Sequence, residues 1–251
     1  MVPEACPRCG SKRLRGDTWL CENCLNTAKE ETLRLVDDFL ISDLGLSLQD
    51  MFIVFSGHRG YHVHVRNHVV RELTQDGRRE ITDYVRGVGL LPRFHGFSRQ
   101  YLSSRPPDLA GRGWSGKLIR SLYNLIATAS SEDLLAILRN RRLVEIIIKN
   151  KSTILRAFES SPPRWPAVKG VSIRSWEKLA SAVVDNAAVH IDERVTSDIK
   201  RLMRLPMSLH GKTGFRVVPL TIESSTITTL LSFKTPPTAL YFSLVEKSLI
   251  T

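Results

Sequence analysis

The segment MFIVF-SGHRG-YHVHV, residues 51–65, constrains the fold more than any other part of the chain. An apolar run of strand length, a five-residue turn with two glycines, and a second run alternating on a period of two read as an antiparallel hairpin. MFIVF has no polar face, so it is expected as a buried strand. In YHVHV the period of two puts His62 and His64 on one face and Tyr61, Val63 and Val65 on the other. Packing alone asks for no Ser56, His58 or Arg59 in the turn, and a glycine-bearing turn with cationic side chains suits an anion.

The cysteines come next in weight. All four lie in the first 24 residues, as Cys6-x-x-Cys9 and Cys21-x-x-Cys24. Each C-x-x-C lets two thiolates reach one tetrahedral ion from a tight turn, so the set predicts a structural zinc knuckle closed to water. The chain has 36 Lys and Arg against 25 Asp and Glu, a formal charge of +11, which points to a polyanionic partner such as nucleic acid. No apolar run is long enough to span a membrane, and the N-terminus lacks the apolar stretch of a secretory signal. The expectation is a cytoplasmic, nucleoid-associated protein with no membrane partner.

Periodicity supplies the remaining elements. Thr27 and Glu30 match a capping box, and Leu33, Val36, Leu40 and Leu44 recur at helical spacing, predicting a helix over 27–44 stopped by Gly45. Asp37 and Asp38 are adjacent on that helix and point about 100 degrees apart, which fits a solvated face better than a metal pair. Residues 67–90 read as helix with Gly77 as a weak point. Residues 91–116, rich in Pro, Gly, Ser and Arg, read as a long loop or boundary. SSEDLLAILRNRRLVEIIIKNK and SWEKLASAVVDNAAV read as helices separated by SPPRWP. Arg139, Arg141, Arg142, Lys149 and Lys151 form a basic face, read as solvated. Val195 to Leu205 has helical spacing up to Pro206, SLHGKTG is a basic loop, and FRVVPL is a strand. No internal repeat is present, and residues beyond Leu220 carry no usable motif.

SGHRGYHVHV followed far downstream by IDERVTSDIKRLMRLPMSLHGKTG resembles the catalytic small subunit of archaeal and eukaryotic DNA primase. The resemblance extends over residues 1 to about 220 and includes the zinc knuckle and the order of the two motifs; HGKTG itself lacks Walker A spacing. It implies an α/β (α+β) primase-type core with a mostly helical insert. The corresponding domains are a zinc knuckle at 1–25, the first part of the core at 26–91, the insert at 92–188, and the second part with the tail at 189–251. It implies synthesis of short RNA, or also DNA, primers on single-stranded DNA templates by two-metal nucleotidyl transfer from nucleoside triphosphates. By resemblance, Ser56, Arg59, His62, His210 and Lys212 bind the incoming nucleotide, and Asp192 is a catalytic carboxylate holding magnesium or manganese. Asp198 is the second choice for that role. Ser208 is expected to shape the loop, Arg201 and Arg204 to face template, phosphate or solvent, and His64 to pack; His58 sits at a variable position and receives no role.

The resemblance also implies a heterodimer with a large primase subunit carrying an iron-sulfur cluster, zinc in the knuckle, and Asp192, Arg59, His62, His210 and Lys212 in one cleft. One departure matters: the family's Asp-x-Asp metal pair, on a strand ahead of the knuckle, has no counterpart in these 251 residues. The expectation is therefore a primase subunit truncated at its N-terminus. The alternative is a non-catalytic module of the same fold that binds nucleotide or single-stranded nucleic acid. A repair polymerase of the same superfamily is disfavoured by the knuckle standing next to this nucleotide motif.

Overall fold

The computed structural model describes residues 21–98 and 106–220. These form a mixed α+β structure of helices and a small antiparallel sheet, divided into two compact units. The described parts of the first unit are residues 21–30, 53–63 and 204–220; the second comprises 31–52 and 64–203.

The first unit is built on the sheet. Strands β1 (Met51–Phe55) and β2 (Tyr61–Val65) form the expected hairpin, and β3 (Val218–Leu220) lies on the other side of β1, giving the order β2-β1-β3. β1 and β3 run antiparallel, with Ile53 opposite Leu220, Val54 opposite Pro219 and Phe55 opposite Val218. The central place of β1 explains its unbroken apolar sequence: Ile53, Val54 and Phe55 are all buried, so neither face needed polar residues. The Ser56 amide donates to the Gly60 carbonyl at 2.9 Å and closes the turn. Phe55 and Tyr61 meet across the two strands with ring centroids 5.8 Å apart.

A second hairpin precedes β3. The Met207 amide donates to the Val217 carbonyl, the Val217 amide to the Ser208 carbonyl and the His210 amide to the Phe215 carbonyl, each at 2.8 Å. HGKTG is the loop of this hairpin. The bend into it turns on Pro206 and Met207, and Met207 takes a left-handed φ of 70° that is unusual for a residue with a side chain.

The second unit is helical. Its spine is α4 (Gly113–Thr128), whose Trp114, Leu118, Ile119, Leu122 and Ile126 are buried at helical spacing. Helices α5 (Ser131–Leu138), α6 (Arg141–Lys149), α7 (Lys151–Glu159), α8 (Ile173–Ala182) and the short α9 (Val184–Ala187) complete the core, with Phe158, Trp165 and Trp176 packed as an aromatic group. The side chains of Asp43 and Lys117 are 4% and 3% exposed, so their 2.5 Å ion pair is removed from water. The carboxylate is satisfied by three donors: Lys117 Nζ, the Tyr84 hydroxyl at 2.8 Å and the Gly113 amide at 2.9 Å. Lys117 Nζ also lies 4.3 Å from the Phe39 ring centroid.

Several helix limits differ from expectation. The first helix, α1 (Glu22–Arg34), begins before Thr27, whose hydroxyl donates to the Asn23 carbonyl inside the helix and so does not cap it. It continues into a π-helical stretch, Leu35–Ile41, in which Val36, Phe39 and Leu40 are buried, and Leu44 lies beyond it and is exposed. The 67–90 segment breaks between α2 (His68–Arg71) and α3 (Gln75–Arg86), because Thr74 caps α3 by accepting from the Gly77 amide; Gly77 is part of the cap and not a weak point. The 91–116 segment is loop only in part, since α4 starts at Gly113. The long basic helix is interrupted at Arg139, with φ of 53°, and Asn140, which caps α6. In place of a helix over 195–205 there is the short α10 (Glu193–Ser197), and the following Ile199, Leu202 and Leu205 are exposed. Their helical spacing had no surface to bury against among the described residues. Among the same residues no helix is long and apolar enough to cross a membrane.

Candidate functional site

The two sequence motifs in the first unit meet through their loops. Gly57, in the SGHRG turn, has a φ of 74°, and a Cβ there would stand 2.9 Å from both the His210 Cβ and the Phe215 carbonyl oxygen. Only glycine lets the turn lie this close to the HGKTG loop. Thr213 closes the contact from the other side, its hydroxyl donating to the Gly57 carbonyl at 2.5 Å.

His58 and His210 sit at this junction. Their rings are stacked, with centroids 4.9 Å apart and planes 10° from parallel. His210 is buried, and its Nδ1 accepts the Lys212 amide hydrogen at 3.2 Å. That bond assigns the ring proton to Nε2, so the neutral imidazole is a donor at Nε2. Burial lowers the proton affinity of His210, and the neighbouring Arg204, His58 and Lys212 lower it further, since two adjacent imidazoles resist being protonated together. Burial likewise lowers that of His58, assisted by Arg59, Lys212 and Arg204. Three cations thus converge on two imidazoles held neutral, a field complementary to a polyanion.

Of the residues proposed from sequence, Arg59 and Lys212 are exposed and His62 is half-buried on β2. Ser56 is buried, and its hydroxyl accepts the His58 amide at 3.3 Å, which shapes the turn. The Ser208 hydroxyl donates to the Leu205 carbonyl at 2.6 Å and braces the bend before the loop. His58 and Thr213 were missed. For His58 the signal was its place between Gly57 and Arg59; for Thr213 the sequence held none, since its partner is 156 positions away. Arg204 contributes to the field at both imidazoles, which its sequence position left open.

Asp192 belongs to the second unit. It caps α10, with Oδ1 accepting the Arg194 amide at 3.1 Å, while Oδ2 lies 3.9 Å from the Arg201 guanidinium. Its side chain is 61% exposed. Oδ1 accepts from the backbone and Oδ2 faces Arg201, and a carboxylate oxygen is the kind of donor a hard divalent cation takes. Asp198 accepts the Lys200 amide at 3.0 Å at the end of the same helix. Glu193 beside it takes Arg86 at 2.7 Å and Arg79 at 3.5 Å. Among the described residues no three His, Cys, Asp or Glu side chains stand together as a metal group.

Cys21 and Cys24 are free, exposed and 3.0 Å apart at Sγ, at the start of α1. Two zinc-bound thiolates sit roughly 3.7 Å apart when each Zn–S bond is about 2.3 Å and the geometry tetrahedral, so the pair fits after a small opening. Cys6 and Cys9 lie outside the described residues.

Comparison with known families decides the kinship. The family described as DNA primase small subunit matches residues 11–222. The chain belongs to the DNA primase small subunit family. Its relatives include the DNA primase small subunit PriS of Methanocella arvoryzae, 36% identical over 222 residues, covering 78% of this chain and 55% of the relative. The PriS of Thermoplasma volcanium is 35% identical over 202 residues, covering 80% of this chain and 47% of the relative. That of Halorubrum lacusprofundi is 36% identical over 212 residues, covering 78% and 52%. The chain thus spans about half the length of the curated relatives it matches. Both loops of the junction fall inside the stretch shared with this primase family.

Proposed function

We propose that this chain carries the nucleotide-binding part of a primase active centre, which makes short primers, RNA or also DNA, on single-stranded DNA. The observation that supports it is the interlock of the SGHRG turn with the HGKTG loop, which gathers Arg59, Lys212, Arg204 and the Nε2–H of His210. Arg59 offers a planar fork for two phosphate oxygens, and Lys212 a point charge. His62 adds a donor from β2, and the open backbone at Gly60 and Gly211 lets phosphate approach. Nucleotidyl transfer asks little covalent chemistry of a protein beyond such positioning and charge.

Asp192 would hold a magnesium or manganese ion, and Cys6, Cys9, Cys21 and Cys24 a structural zinc. Such an ion would supply charge that neutralises the triphosphate and favours attack by the primer hydroxyl. The partners in this reading are a large primase subunit, template DNA and nucleoside triphosphates, with the reaction in the cytoplasm at the nucleoid.

The test is template-dependent incorporation of labelled nucleotide on single-stranded DNA, with the large subunit present. Asp192→Asn is expected to lower incorporation by roughly two orders of magnitude while ATP still binds, because a ligand for the ion is lost and the phosphate contacts are not. Unchanged incorporation removes Asp192 from the mechanism. Binding of nucleotide or single-stranded DNA with no incorporation by the native chain favours the non-catalytic module.

A further inference from the structure

The SGHRG turn does more than present Arg59. With Gly57 pressed against the His210 Cβ and the Phe215 carbonyl, the next residue leaves the turn directly over the His210 ring. The His58 amide is tied to the Ser56 hydroxyl at 3.3 Å, so the backbone that carries the upper ring is itself braced.

His210 needs such a neighbour. Its backbone is held by the Phe215 carbonyl at 2.8 Å, but its ring turns about a torsion between sp³ and sp² atoms, which is intrinsically broad. The bond from the Lys212 amide to Nδ1, at 3.2 Å, selects which way round the ring sits without confining its tilt. A second ring 10° from parallel confines the tilt. Plane and orientation are thus set by two different residues, and together they aim Nε2–H.

We propose that His58 is a positioning residue for triphosphate binding, stacking on His210 to hold its ring in the plane that presents Nε2–H to the phosphates. This rests on the nucleotide reading of the site. The role acts through the ring's flat face, so a carbocyclic aromatic should serve as well. It also concerns the phosphate end of the ligand and is independent of base and sugar.

The test is calorimetric titration of the full chain with ATP and with inorganic tripolyphosphate, using His58→Ala and His58→Phe. Expected for His58→Ala is weaker binding of both probes by about five-fold, the loss of one net hydrogen bond. His58→Phe should bind within about two-fold of the native chain, since a stacked ring is kept. Relaxation of the His210 ring reports the mechanism directly: a fixed ring in the native chain and His58→Phe and a mobile one in His58→Ala, with the Nε2–H tautomer kept in all three because the Lys212 amide sets it. Native affinity in His58→Ala overturns the proposal. So does His58→Phe as weak as His58→Ala, which makes the His58 nitrogens a direct contact, or a loss seen with ATP alone, which moves His58 to base or sugar. Arg59→Ala and His210→Ala separate this from failure of the nucleotide reading. If the native chain and both variants bind tripolyphosphate equally, or none binds it, that reading falls and the proposal with it.

Discussion

The Thr213 hydroxyl donates to the carbonyl of Gly57 at 2.5 Å, joining two loops 156 residues apart in the chain. Each loop is braced by its own hydrogen bonds, and this bond fixes how the two lie against each other. Thr213→Ala is expected to weaken ATP binding by several-fold and to lower stability by about 1 kcal/mol, the net worth of one hydrogen bond. Thr213→Ser should recover both. Parallel denaturant melts and ATP titrations check this.

Gly57 carries a stricter demand. Any side chain there meets the Phe215 carbonyl oxygen, a backbone atom that cannot swing away, and must also adopt a left-handed φ. Gly57→Ala should cost about 1–3 kcal/mol. Its loss of nucleotide affinity should exceed that of Thr213→Ala, because the stack over His210 moves with the turn.

The buried Asp43–Lys117 pair is a requirement of the second unit. Lys117→Met leaves a dry carboxylate with only the Tyr84 hydroxyl and the Gly113 amide, and should lower stability by about 3–5 kcal/mol. Asp43→Asn with Lys117→Met should recover much of that loss, since no buried charge is left. A double-mutant cycle in urea gives the coupling. Burial and the Asp43 carboxylate also raise the proton affinity of Tyr84, so this hydroxyl remains a donor well into alkaline solution.

The two stacked imidazoles make the first unit sensitive to acid. Both have proton affinities below the ordinary histidine value, so above about pH 6.5 they are neutral whether folded or unfolded. As pH falls below that, the unfolded chain takes up protons that the folded pair resists, and stability drops until the folded pair titrates too. Proton resonances of the His58 and His210 rings should therefore titrate below the unfolded midpoint. Stability between pH 7.5 and 5.5 should fall less in His58→Phe.

Much of the site was legible in its chemistry and little in its assembly. The hairpin could be read because MFIVF and YHVHV have the lengths and periods of strands, and the central place of β1 follows from its lack of a polar face. The pairing of β1 with β3 depends on residues far apart, and no local pattern records it. Thr27 and Glu30 misled because Ser or Thr three positions before Glu also occurs inside helices, where the hydroxyl turns back to the preceding carbonyl. Ile199, Leu202 and Leu205 have the spacing of a helix but lie exposed, and without burial that spacing stabilises nothing. His58 was passed over because a motif weighs positions singly, whereas its role comes from the ring beneath it.

The order of segments in the first unit has a consequence for synthesis. β1 and β2 emerge before most of the second unit, and β3 and the loop that receives Gly57 follow only after it has been made. At about 5–20 residues per second, the hairpin waits on the order of ten to thirty seconds for its third strand. Throughout that interval one edge of β1 lacks the strand it will finally pair with, and the helices between have time to form first. The junction of the two loops thus forms on the ribosome only after the helices between them have been made.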